Sequence, residues 1–265
     1  MLPIVSTVTY LGPPGSFSEK AARLLYPGSE LVPAPSIPTA ISAVEVGRAD
    51  AAVVPLENSI SGPVAETLLS LRSSMLRVRV AGVLKVELVL AGSGSGRVYS
   101  HPNALALAAR ELLSIEPNFE FIAVSSTSEA ASRASREGAL CLCSPEAAER
   151  EGLDVRARIR GGYTRFVGLE WRDGAEEGER TMILAAIPDE PGSLYRFLEP
   201  FARLGVNLTM IYSMPVAGVW RYLFYLEAEG SRLDERVSRA LRDASGRALC
   251  FSVAGSYPLR LLNGD

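Results

Sequence analysis

The chain has 265 residues, 48% of them hydrophobic, which is enough to bury a substantial core and leaves room for a two-lobed domain plus a smaller one. A formal net charge of -3 and the lack of any long basic run argue against a nucleic-acid partner. The opening residues carry no basic stretch ahead of their apolar part, and no segment approaches the roughly 18 apolar residues of a membrane span, so no membrane association and a cytoplasmic location are expected.

In chain order, the pattern predicts a strand at 7–11, a helix at 16–26, a strand at 51–55, a helix at 63–72 and a long apolar strand at 83–90. A glycine-serine stretch at 92–96 follows. A strand then ends near Tyr99, a helix is expected at 102–114, a strand at 119–124, a helix at 127–136 and a strand at 139–143. Short strands alternating with helices identify the α/β class. Cys141 and Cys143 fall in the last of these strands, and with Cys250 they make an odd set, read as reduced thiols rather than a disulfide framework or a metal site.

Residues 172–180 are polar, acidic and contain two glycines, as a linker does. Beyond them come a strand at 181–187, a helix at 192–204, strands at 207–213 and 219–228, a helix at 232–244 and a strand at 249–257. This βαββαβ order is that of a ferredoxin-like unit.

Four strand-to-helix junctions share one device, a loop of Gly, Ser or Thr opening into a helix: 12–18, 59–62, 100–102 and 125–129. Ser126 and Glu129 have capping-box spacing. Such junctions either cap a helix and nothing more, or offer backbone N–H groups and the positive end of a helix dipole to an anion. Glu57, Asn58 and Ser59 close a strand with a carboxylate, an amide and a hydroxyl, the end at which open α/β sheets hold ligands, although an Asx-type turn would look the same. In the extended stretch 161–166, a Gly pair precedes Tyr163, Thr164, Arg165 and Phe166. Strand alternation puts Thr164 and Phe166 on one face and Arg165 on the other, where Arg165 would anchor the loop. His101, the sole histidine, precedes a proline at a helix start, so capping and acid–base chemistry are both open. One histidine without a Cys or carboxylate cluster argues against the usual zinc sites, and no P-loop, nucleophile elbow or dinucleotide fingerprint is present, which favours a cofactor-free reaction.

Together these motifs resemble the prephenate dehydratase family, from near residue 7 to near residue 258. They are Tyr10 through Glu19, Val54 through Ile60 with Gly62 and Glu66-Thr67-Leu68, Tyr99-Ser100-His101-Pro102, Ser126 through Ala131, and Tyr163-Thr164-Arg165-Phe166. The resemblance implies a two-lobed, periplasmic-binding-protein-like (type II) catalytic domain over 1–175, with its second lobe at about 90–160. A ferredoxin-like ACT domain over 180–262 would follow. It also implies conversion of prephenate to phenylpyruvate in the cleft between the lobes, with arogenate dehydratase or a non-catalytic amino-acid-sensing protein as the other readings. Thr164, Glu57 and Asn58 would be catalytic. Thr164 would donate a hydrogen bond to the departing hydroxyl and Glu57 would position its neighbours. Ser16, Ser59, Asn103, Thr127, Arg165 and Phe166 would bind substrate, without cofactor or metal. Ser16 and Asn103 stand where the family usually has Thr and Gln. In the ACT module, Gly192, Ser193, Leu194, Asn207, Leu208 and Ser213 would form an L-phenylalanine effector site at an interface, 191–195 against 207–215, within a homodimer or homotetramer. The family's Glu-Ser-Arg-Pro motif reads Tyr212-Ser213-Met214-Pro215 here, without its carboxylate and guanidinium.

Overall fold

The structure, a computed structural model, describes residues 5–94, 96–159, 161–171, 178–216 and 221–262. The linker expected at 172–180 lies largely outside them.

The first lobe is built from β1 (Thr7–Leu11), α1 (Phe17–Leu25), β2 (Glu30–Ala34), α2 (Ile37–Glu45), β3 (Ala51–Asn58), β4 (Gly62–Pro63), α3 (Ala65–Ser73) and β5 (Arg77–Lys85). The second comprises β6 (Leu88–Gly92), β7 (Arg97–Ser100), α4 (Pro102–Ile115), β8 (Glu120–Ala123), α5 (Thr127–Glu137), β9 (Leu140–Cys143), α6 (Pro145–Arg150) and β10 (Val155–Ile159). Strand β11 (Tyr163–Glu170) then returns to the first lobe, between β5 and β3. The sequence reading missed β2, α2, α6 and β10. It also took 83–90 for one strand, whereas β5 and β6 belong to different sheets. Leu84, Val86 and Leu88 are buried and alternate with exposed Lys85 and Glu87, so one strand-like period continues across the junction and hides the change of sheet.

The chain therefore crosses between the lobes at 86–87 and returns through 161–162, and the crossings touch. The Val86 N–H donates to the Gly162 carbonyl at 2.8 Å. A Cβ on Gly161 would lie 1.4 Å from the Val86 carbonyl oxygen, so only glycine fits there. This gives the Gly pair a structural reason that its spacing alone did not reveal.

After the second crossing come β12 (Arg180–Ala186), α7 (Ser193–Arg203), β13 (Leu208–Val216), β14 (Arg221–Glu229), α8 (Glu235–Ser245) and β15 (Cys250–Tyr257). Their sheet order, β13-β14-β12-β15, is the antiparallel ferredoxin-like one. Its central strands, β12 and β14, are buried on both faces. On β12, Ile183 and Ala185 face α7 and α8, while Met182 and Leu184 share a core with Val78, Val167 and Leu169 of the first-lobe sheet. On β14, Leu226 and Ala228 face the helices, and Leu223 and Tyr225 face the first lobe. A further strand, β16 (Leu259–Leu261), pairs in parallel with β5 and so belongs to the first-lobe sheet rather than to the small unit. The architecture is thus the two-lobed, periplasmic-binding-protein-like arrangement followed by a βαββαβ unit. Among the described residues, no helix is long and apolar enough to cross a membrane.

Candidate active site

Between the lobes lies a cavity of about 1190 Å³. It is lined from the first lobe by the loop after β1, the end of β3 and the start of β11, and from the second by the first turns of α4 and α5. Ser16, Asn58, Asn103, Thr127, Thr164 and Phe166 all line it.

On the first-lobe wall, Thr164 of β11 pairs in register with Asn58 of β3, and a bulge follows immediately between Arg165 and Phe166. Asn58 Nδ2 donates to Thr164 Oγ1 at 2.8 Å. The amide's orientation is dictated from its other end, where Oδ1 accepts from the Ile60 N–H at 2.9 Å in an Asx turn and from the Ser61 N–H at 3.4 Å. With a lone pair of Thr164 already engaged, its own O–H is left to point elsewhere. Thr164 lines the cavity, where a bound molecule could accept from it. Thr164 and Phe166 are only 8% and 2% exposed, so the hydroxyl works in a largely dry setting beside an aromatic wall.

The opposite wall is made of helix starts. Ser126 caps α5 by accepting from the Glu129 N–H at 3.0 Å, and Glu129 in turn accepts from the Ser125 N–H at 2.8 Å and from its hydroxyl. Those hydrogen bonds from Ser125 hold the Glu129 carboxyl below its ordinary range. His101 caps α4, its Nδ1 accepting from the Asn103 N–H at 3.2 Å, and burial lowers its pKa. The capping alternative therefore describes what this histidine does. Asn103 Nδ2 reaches Ser61 Oγ of the other lobe at 3.5 Å. On the first lobe, Ser16 caps α1 through the Glu19 N–H at 3.3 Å and donates to the Leu11 carbonyl.

Three expected residues lie outside this lining. Ser59 bonds Tyr163 in both directions, its Oγ accepting from the Tyr163 N–H at 2.9 Å and its N–H donating to the Tyr163 carbonyl at 2.8 Å. Arg165 turns to the far side of β11, as alternation required. There its Nε meets Glu57 Oε1 at 2.9 Å and its Nη1 meets both carboxylate oxygens of Glu227 at 3.0 and 2.9 Å. Glu57, also facing away from the cavity, accepts from the Tyr212 O–H at 2.9 Å. The ion pair with Glu57 is thus a stay behind the wall.

Arg150 and Ser128 also line the cavity, and the expected site did not include them. Arg150 of α6 reaches across the lobes and donates to the Pro14 carbonyl at 2.6 Å, beside a second interlobe pair, Lys20–Glu146 at 2.5 Å. It brings a cation to the cavity that Arg165 does not. Ser128, 2% exposed, has a buried Oγ without a hydrogen-bond partner among the described residues. Arg150 shows no local signal, because its place depends on how the lobes face each other, whereas Ser128 sits within the 125–129 junction in the first turn of α5. Among the described residues, no group of three or more His, Cys, Asp and Glu is placed to hold a metal ion.

In the small unit, Gly192 caps α7 at φ +80°, and Ser193 is buried at its first turn. Leu194, Tyr195 and Ile211 are exposed, as are Asn207, Ser213 and Pro215 on or next to the edge strand β13. Leu208 is half-buried and packs toward the helices. Tyr212 and Met214 point the other way, into the core shared with the first lobe.

The family model for prephenate dehydratase matches residues 8–173. A prephenate dehydratase from Amycolatopsis methanolica is 35% identical over 96% of this chain and 88% of its own length. The arogenate dehydratase/prephenate dehydratase 2 of Arabidopsis thaliana is 34% identical over 95% of this chain and 72% of its own. Among solved structures, a prephenate dehydratase from Arthrobacter aurescens in complex with L-Phe superposes with a TM-score of 0.86 at 31% identity, covering 95% of this chain and 90% of that one.

Proposed function

The chain belongs to the prephenate dehydratase family, and on that premise we propose that its interlobe cavity converts prephenate to phenylpyruvate by decarboxylative dehydration. The observation that carries this reading is the hydrogen bond from Asn58 to Thr164 on the cavity wall, which leaves the threonine O–H free to donate.

Prephenate is a dianion. Breaking its ring carboxylate bond releases carbon dioxide, drives that electron pair through the ring, and expels the para hydroxyl as hydroxide, so the product carries one charge and the leaving group the other. Aromatisation drives the reaction, and no strong base is needed. What the site supplies is alignment and stabilisation of the departing oxygen. Thr164 donates to that oxygen, Asn58 holds Thr164 in its rotamer, and Phe166 packs against the ring. Ser16, Asn103 and Thr127, at or beside three helix starts, meet the carboxylates together with backbone N–H groups, and Arg150 adds charge. Glu57, Arg165 and Ser59 act behind this layer by fixing the strands.

The boundaries expected from the sequence support a catalytic domain over about 1–175 and an ACT domain over about 180–262, with β16 as an exchange back into the first. Edge strand β13, with exposed Ile211 and Pro215 and the neighbouring Leu194 and Tyr195, suits an interface between two small units in a homodimer or homotetramer. Gly192, Ser193, Leu194, Asn207, Leu208 and Ser213 would meet L-phenylalanine there, the ligand held by the Arthrobacter aurescens relative. A cytoplasmic location fits an intracellular biosynthetic reaction.

The test is incubation of purified protein with prephenate at neutral pH, following phenylpyruvate absorbance in alkali, beside arogenate as the competing substrate. Rapid formation of phenylpyruvate, lost in Thr164→Ala, is the expected result. A higher kcat/KM for arogenate would reassign the substrate. No turnover of either would leave a binding protein.

A further inference from the structure

We propose that Glu227, in the small βαββαβ unit, is a positioning residue for the reaction: it holds Arg165 and, through Arg165, the stretch of β11 that carries Thr164 opposite the β3 bulge. This deepens the proposed function and rests on the role given there to Thr164.

Alternation along β14 puts Glu227 on the face of Leu223 and Tyr225, the face that packs against the first lobe. It is 0% exposed. A carboxylate in that position would be costly unless paired, and all of its neighbours are donors. Arg165 Nη1 contacts both oxygens, Thr209 Oγ1 donates to Oε1 at 2.5 Å, Tyr257 O–H donates to Oε2 at 2.6 Å, and Arg180 Nε stands 3.7 Å from Oε1. Burial, with Glu227 against it, pushes the Tyr257 phenol well up, so it remains a donor across the physiological range. Burial works against the charge on Arg165, but Glu227 and Glu57 outweigh it and keep the guanidinium protonated.

In the network Arg165 stands between Glu57 and Glu227, Arg180 stands between Glu227 and Glu229, whose Oε1 it meets at 2.9 Å, and the whole joins two sheets. Arg165 and Glu57 come from β11 and β3; Glu227, Thr209, Tyr212, Tyr257 and Arg180 come from the small unit. Its anchor, Arg165, is the residue next to Thr164, at the step where the ladder with β3 changes register. On the β5 side the ladder runs unbroken through Thr164, Arg165 and Phe166, but on the β3 side the bulge at Leu56 leaves it incomplete, so the hold on the Arg165 side chain helps set how this stretch sits against Asn58. Displacing a reacting group by about 1 Å can cost ~10²-fold in rate.

A glutamine at 227 would keep the volume and present an N–H₂ to a ring of donors, breaking the arrangement without opening a cavity. Glu227→Gln in the full chain should therefore lower kcat by about 10- to 100-fold, with little change in KM. The decisive readout is a double-mutant cycle with Thr164→Ala, measured well below the melting temperature and normalised to folded protein. If Glu227 acts through Thr164, adding Glu227→Gln to the alanine background costs little more. Should Glu227→Gln fold poorly, Tyr257→Phe removes one donor while keeping the ring packed, and enters the same cycle. A kcat equal to wild type in the folded variant, or equal fold-losses in both backgrounds, overturns the proposal while leaving the function intact. A wild-type chain that makes no phenylpyruvate removes the functional reading and this inference together.

Discussion

The two walls of the cavity are built on different principles. The first-lobe wall is a paired ladder: Thr164 is held by Asn58, Asn58 by two backbone N–H groups, and the strand behind them by Arg165 against Glu57 and Glu227. The second-lobe wall consists of helix starts with capping side chains, and behind them lies a core of small residues, Ala130, Ala131, Ala134, Cys141 and Cys143. A hydroxyl pinned on a ladder can stabilise one atom at one moment of a reaction, whereas a helix N-terminus attracts an anion over its whole first turn. In the proposed function, chemistry falls to the first wall and most of the grip to the second, Ser16 at the start of α1 being the first lobe's share of it.

This division breaks most readily at Thr164. Thr164→Ala should lower kcat by ~10²–10³, equivalent to about 2.7–4 kcal/mol of transition-state stabilisation, with KM nearly unchanged. A steady-state assay in which KM rises and kcat holds would reverse the assignment of the walls. Next in size is the joint between them. Gly161→Ala would force a methyl into the Val86 carbonyl and should destabilise the chain by about 1–3 kcal/mol, read as a lower denaturant midpoint. On the gripping wall, Ser126→Ala removes the α5 cap and should cost about 1 kcal/mol of stability together with a several-fold rise in KM, kcat being the less affected constant.

The smallest effect concerns pH. Burial lowers the pKa of His101 from its ordinary 6.5, so below that pH the unfolded chain binds a proton that the folded chain resists. Its contribution to stability is therefore complete above about pH 6.5 and is lost as the pH falls through the lowered value. Thermal melts between pH 5 and 7.5 should show this decline, and His101→Asn, which keeps a capping acceptor, should flatten it.

Much of this was legible in the residues themselves. Capping spacing at Ser126 and Glu129 predicted the start of α5, and period-two alternation placed Arg165 on the opposite face from Thr164 and Phe166. The motif around Asn58 and the stretch 161–166 each supplied one partner of the hydrogen bond on which the functional reading turns. The joined strand at 83–90 was misread because burial, which the sequence reports, does not say in which sheet a strand is buried.

By itself the sequence determined what depends on neighbours along the chain: strand faces, helix starts and the family to which the motifs point. Only the tertiary structure decided what those faces meet. Arg165 turned away from the cavity to a carboxylate 62 residues on, Arg150 came to it from another lobe, and β16 closed the first sheet after the small unit was complete. Contacts between distant segments depend on the relative placement of whole sheets, and no local period carries that information.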